Sequence, residues 1–149
     1  MMSLKNRIQE DVKQAMRARD RERLAALRLI SAGIKQKEVD ERIVLGDEQV
    51  LAVLDKMVKQ RRESLEHYEK AGREDLAARE RFELEIIQGY LPEPLSEAEL
   101  QALIRTTIEQ VAASSVRDMG PVMNALRPQV QGRADMKAVS QAVKAQLSS

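Results

Sequence analysis

Cysteine is absent from this chain, which excludes disulfides, thiolate metal sites and thiol nucleophiles together. A single histidine, His67, leaves histidine-based metal sites and catalytic triads almost nothing to draw on. The aromatics are Phe82, Tyr68 and Tyr90, with no tryptophan. Strands favour β-branched and aromatic residues, so a sheet-rich fold is short of material. Splayed single-stranded bases would also lack a stacking platform. No run approaches the roughly 20 apolar residues of a membrane span, and Met1 to Arg7 is polar, without the apolar core of a signal peptide. Walker, Gly-x-Gly-x-x-Gly and Gly-x-Ser-x-Gly sequences are missing as well. These absences lead to the expectation of a cytoplasmic protein away from membranes, with no cofactor, no metal and no self-sufficient catalytic centre.

What the chain does have is helix-forming material. Its 149 residues suit one ordinary domain or two small ones. Hydrophobic residues make up 43% and charged residues 33%, enough for a core beneath a heavily charged surface. Leu, Ala, Glu, Gln, Lys and Arg dominate, and these are the strong helix formers. The expected class is all-α. Net charge is +1, too little to draw nucleic acid to the whole molecule. Up to Leu95 the charges cancel, 19 basic against 19 acidic, whereas from Arg105 onward six basic residues face three acidic ones.

Ser3 is positioned to cap a first helix carrying Leu4, Ile8, Val12 and Ala15 or Met16 at helical spacing. Asp20 caps a second, with Leu24, Leu27, Ile30 and Ile34, which Gly46 is expected to end. Asp47 is expected to cap a third, with Leu51, Leu54, Val58, Leu65 and Tyr68, ending at Gly72; a fourth uses Leu76, Leu84, Ile87 and Leu91. Pro92 and Pro94 then interrupt the pattern, since each removes a donor and pushes its predecessor into an extended conformation. Ser96 and Glu99 form a capping box that opens a fifth helix with Leu100, Leu103, Ile104, Ile108 and Val111. A sixth helix follows Ser114-Ser115, with Pro121 tolerated in its first turn, and Asp135 caps a last one with Met136, Val139, Val143 and Leu147. The expected organisation is a helical-hairpin domain over 1–91, a hinge at 92–95 and a three-helix bundle over 96–149.

Few residues invite chemistry. His67 stands four residues from Glu63, the spacing of a surface helix pair. Glu80, Glu83 and Glu85 lie close in sequence, but a carboxylate-bridged metal pair in a bundle draws histidines from two helices; a solvated helix face is the expectation. Arg61 interrupts the apolar stripe of the third helix, where a charge is costly unless paired. Either Glu80 or Glu83 pairs it internally, or its aliphatic stem packs with the head in water, or it meets a ligand or partner. Gly132-Arg133-Ala134-Asp135 makes a tight turn into a helix N-terminus, whose free amides suit a phosphate with Arg133 and Lys137 beside it. The alternative is a glycine turn, an aspartate cap and an arginine in solvent.

Taken in order, several segments resemble the GatB/YqeY family in its stand-alone, YqeY-like form, over essentially the whole chain. They are Leu27-Arg28-Leu29-Ile30, Val58 to Ser64 (VKQRRES), Tyr90-Leu91-Pro92 with Leu95-Ser96-Glu97, Asp118-Met119-Gly120, and Gly132-Arg133-Ala134-Asp135. The resemblance implies an amino-terminal helical domain joined to the tail module that also ends the B subunit of the tRNA-dependent amidotransferase. There the module contacts the body of the tRNA, while ATP use and glutamine hydrolysis occur elsewhere. Carried over by position, Gly132, Arg133 and Asp135 become the tRNA-facing residues, with Lys137 one turn on. Three positions depart from the family pattern: Pro121 stands where lysine is usual, and Asn124 and Met136 stand where glycine is common.

The resemblance therefore implies a non-catalytic tRNA-binding accessory linked to tRNA-dependent transamidation, with tRNA and an amidotransferase or another translation protein as partners. The alternative is a helical interaction adaptor with no RNA role, using an apolar groove lined by methionines such as Met16 or Met57. An amidotransferase (carbon–nitrogen ligase) activity would be inferred from the family alone.

Overall fold

Each stretch of helical periodicity becomes a helix. The computed structural model describes residues 2–148. Among them are seven α-helices and no strand: α1 (Leu4–Ala18), α2 (Arg21–Glu41), α3 (Asp47–Lys70), α4 (Glu74–Gln88), α5 (Glu97–Gln110), α6 (Met119–Val130) and α7 (Met136–Ser148). A single 3₁₀ turn, Val116–Asp118, precedes α6. The all-α expectation holds. The chain divides into two compact units, Met1–Pro92 and Glu93–Ser149.

In the first unit, α1 and α2 pack as one hairpin and α3 and α4 as another. Ile8, Leu27, Ile30, Leu54 and Ile87 form the centre of their common core. Ser3 caps α1, its Oγ accepting from the Asn6 amide at 3.1 Å. Asp20 caps α2 through the Arg23 amide at 3.2 Å.

The α2–α3 connection departs from expectation. α2 ends earlier than Gly46, at Arg42 in the left-handed conformation (φ 56°). Gly46 is extended and stands at the N-cap of α3, its amide donating to Gln49 Oε1 at 3.0 Å. Asp47 is already helical, and its Oδ1 accepts the Leu4 amide at 2.9 Å. It therefore covers an orphan donor of α1 instead of capping its own helix. Glu38 fastens the same corner. Its Oε2 accepts from Lys5 Nζ at 2.7 Å and from the Leu45 amide at 2.9 Å, and Lys5 foremost holds its carboxyl below the usual range.

In the second unit, Leu100, Ile104, Val122, Leu126, Val139 and Val143 form a separate core among α5, α6 and α7. The Ser96–Glu99 capping box is complete, both bonds at 3.1 Å. Pro121 lies in the first turn of α6, and a second proline, Pro128, lies in its last turns. Gly132 turns the chain with φ 76°, and Asp135 precedes α7, its Oδ1 accepting from the Lys137 amide at 3.3 Å.

Candidate functional site

The corner between α6 and α7 holds Gly132, Arg133, Asp135 and Lys137 together. Gly132 is buried, Arg133 is half-buried, and Asp135 and Lys137 are exposed. Arg133 is not simply a solvent arginine. Its Nε donates to the Glu93 carbonyl at 2.9 Å, and its own carbonyl accepts the Leu95 amide at 2.9 Å. The two bonds clasp the proline-containing segment to the turn. Asp135 occupies the amide cradle that a phosphate would need. An incoming anion there would meet a carboxylate first, so the positive element of the corner is the pair of side chains, Arg133 and Lys137. Lys144 stands two helical turns beyond Lys137 on the exposed face of α7. The charge bias narrows when the unit is counted whole. Residues 93–149 carry six basic and six acidic residues, the additional acids being Glu93, Glu97 and Glu99.

In the first unit the structure brings Arg61, Glu80 and Glu83 together across α3 and α4. Arg61 Nε lies 3.3 Å from Glu83 Oε2, and Nη1 lies 3.7 Å from Glu80 Oε2. Glu80 and Glu83 are 8% and 6% exposed, so the solvated face expected for these carboxylates is wrong for both, although Glu85 is exposed. The reason is spacing: Glu80 and Glu83 share the α4 face that packs on α3, and Glu85 does not. Burial raises the Glu80 carboxyl above its ordinary value, and the Arg61 guanidinium offsets part of that rise. The two Oε2 atoms make no hydrogen bond of good geometry, so charge proximity alone holds them. Among the described residues no cluster of three or more His, Asp or Glu is arranged to hold a metal.

Sequence reasoning missed a third cluster. Tyr90 is buried and its hydroxyl donates to Asp11 Oδ2. Arg7 lies over its ring, the guanidinium carbon 5.0 Å from the centroid, while Nη2 donates to the Gly89 carbonyl at 3.2 Å. The available signal was Arg7 and Asp11, four residues apart and flanking the Ile8 stripe of α1. A cleft of about 240 Å³ opens beside them, with Arg23 and Glu85 at its walls. A larger one, about 560 Å³, lies between α2 and α4 over Ala25, Ala26, Ala78 and Phe82. Of the methionines expected to line an apolar groove between the amino-terminal helices, Met16 is exposed and Met57 packs against the core beside Gly33.

Fold and clusters together define an all-helical protein of two units whose buried charges are used in packing and whose free cations lie on the surface. The chain belongs to the YqeY-like protein family, whose model matches residues 5–147. A protein of Pyrenophora tritici-repentis named altered inheritance of mitochondria protein 41, mitochondrial, is 30% identical over 140 residues, 92% of this chain and 77% of that one. The protein of the same name from Lachancea thermotolerans is 38% identical over 111 residues, 72% of this chain and 59% of that one. An uncharacterized protein of Schizosaccharomyces pombe is 29% identical over 89 residues, 60% of this chain and 72% of that one. The chain thus spans between about three fifths and three quarters of these relatives' lengths.

The names of the first two overturn the cytoplasmic expectation, since they assign those relatives to mitochondria. That expectation rested on missing cysteine, which removes disulfides but does not distinguish one thiol-reducing compartment from another.

Proposed function

We propose that this chain is a non-catalytic tRNA-binding accessory protein, linked through its family to tRNA-dependent transamidation, and that its second unit meets the RNA backbone. The observation that carries this reading is the run of cations from half-buried Arg133 through exposed Lys137 to exposed Lys144; none makes an ion pair among the described residues. Gly132 shapes the corner and Asp135 caps the helix, so both act through the backbone. With no exposed stacking aromatic in this unit, contact is with phosphates and shape, and affinity falls as salt rises.

The test is a titration of the purified protein with bulk tRNA at low and moderate salt. Saturable binding that weakens with salt, and with Lys137→Ala and Lys144→Ala, supports the reading. Absence of binding at low salt overturns it. Arg133→Ala is the poorer probe, because it also breaks the clasp on Glu93.

A second reading, an interaction adaptor, is favoured by the exposed apolar residues Val39, Ile43 and Val44 at the end of α2, Val44 being 81% exposed. Val44→Ser abolishing co-purification of a protein partner, with tRNA binding unchanged, would favour it.

A further inference from the structure

The α1–α2 turn reads Arg17-Ala18-Arg19-Asp20-Arg21-Glu22-Arg23, four arginines within seven residues. Among the described residues, none of their side chains makes a hydrogen bond or an ion pair. In the α3–α4 hairpin, which also carries Lys56, Lys59 and Arg62, the cations Arg61, Lys70, Arg73, Arg79 and Arg81 have carboxylate partners. Asp20 and Glu22 lie within the turn and leave it a net charge of +2. Asp11 and Glu85 line the cleft beside Arg23, and Glu22, Asp75 and Glu83 the cleft beside Arg21, none within ion-pair distance of either arginine.

Helix electrostatics sharpen the anomaly. Arg17 suits the last turn of α1, where a helix end is partly negative. Arg21 and Arg23 stand in the first turn of α2, where the end is partly positive and cations are disfavoured. Helix electrostatics therefore give no reason for Arg21 and Arg23 at that end. Arg21 and Arg23 also point to opposite sides of the turn, each lining a different cleft. The result is a knob at the α1–α2 turn with guanidinium groups on both flanks, each beside a cleft.

We infer that this knob is a phosphate-backbone contact for structured RNA, made by the first unit independently of the α7 cations. Guanidinium groups bind phosphate oxygens bidentately, and a knob charged on two sides reaches phosphates on both walls of a groove. RNA is favoured over an anionic membrane because Met16 is the only large apolar side chain exposed within the turn or on its immediate flanks, too little to insert. The inference shares its partner class with the proposed function but rests on different residues.

The test uses the full chain with three probes: bulk tRNA, a short RNA duplex, and vesicles of mixed neutral and anionic phospholipid. The variant Arg17→Gln, Arg21→Gln, Arg23→Gln leaves Arg19, the left-handed C-cap of α1 (φ 56°), in place. A Lys version of the same triple controls for folding and keeps the charge. The Gln triple is expected to lower RNA affinity at least tenfold at low salt. It should also make the log–log salt dependence shallower by about two to three, at roughly 0.9 for each phosphate that is no longer neutralised, while the Lys triple retains the wild-type slope. tRNA binding that survives the Gln triple but is lost with Lys137→Ala overturns the knob and leaves the proposed function standing. Knob-dependent binding of the duplex without tRNA binding upholds the knob and overturns the proposed function. Binding to vesicles alone overturns both.

Discussion

Arg61 shows how one side chain holds two others in place. Its guanidinium is the counter-charge for two carboxylates that α4 carries into the packed face. Arg61→Ala strands both, and the loss is expected on the order of 3–5 kcal/mol by urea denaturation. Glu80→Gln should act the other way as pH rises. A carboxyl whose folded pKa is raised favours the fold while protonated and loses that contribution as pH climbs through the ordinary value of 4.5 to the folded one. Compared with wild type, Glu80→Gln should therefore gain stability between acid and neutral pH. A constant difference between the two would refute the assignment. Tyr90 carries the same sign at the alkaline end. Burial first, then Asp11, raises its phenol, so the wild type should lose stability as pH rises beyond the ordinary 10.0. Tyr90→Phe should lack that component while being about 1.5–3 kcal/mol less stable at neutral pH, the worth of one hydrogen bond to a charged acceptor.

At the scale of elements, the cross-helix bond from Leu4 to Asp47 makes a specific demand. Asp47→Ala should destabilise the first unit by about 1 kcal/mol, the usual cost of removing a helix cap. The accompanying loss of amide-exchange protection should appear at the start of α1, and not at the start of α3. Periodicity made the helices legible, because apolar stripes at three- and four-residue spacing have one packing solution, and Ser3, Asp20 and Ser96 each meet a nearby amide. Gly46 and Asp47 were misread for a physical reason. Glycine serves both at helix ends and at helix beginnings, and an aspartate at a helix start can serve whichever helix end lies within reach. The Arg133 clasp was hidden similarly: its acceptor is a backbone carbonyl forty residues earlier, and every residue type carries a carbonyl. Tyr90 was legible as part of a motif, but its partners on α1 were not, since no local spacing relates residues 11 and 90.

For the molecule as a whole, the two units have separate cores with no residue in common. The fragment 93–149 is therefore expected to fold alone, with helical circular dichroism and a cooperative melt. Arg133→Ala should lower its midpoint by several degrees, whereas Lys137→Ala leaves it within error. A fragment that is unstructured in isolation would refute the autonomy of the tail. Small domains lie near the limit of self-sufficiency, so one clasp is a large share of such a unit's stability.

The Tyr90–Asp11 contact also turns a scarcity into an optical instrument. The chain has no tryptophan and two tyrosines, one of them buried and hydrogen-bonded to a carboxylate. Near-ultraviolet absorbance and emission therefore come from very few chromophores. Release of Tyr90 into water changes the surroundings of half the phenols, so opening of the first unit can be followed without a label, and Tyr90→Phe supplies the blank.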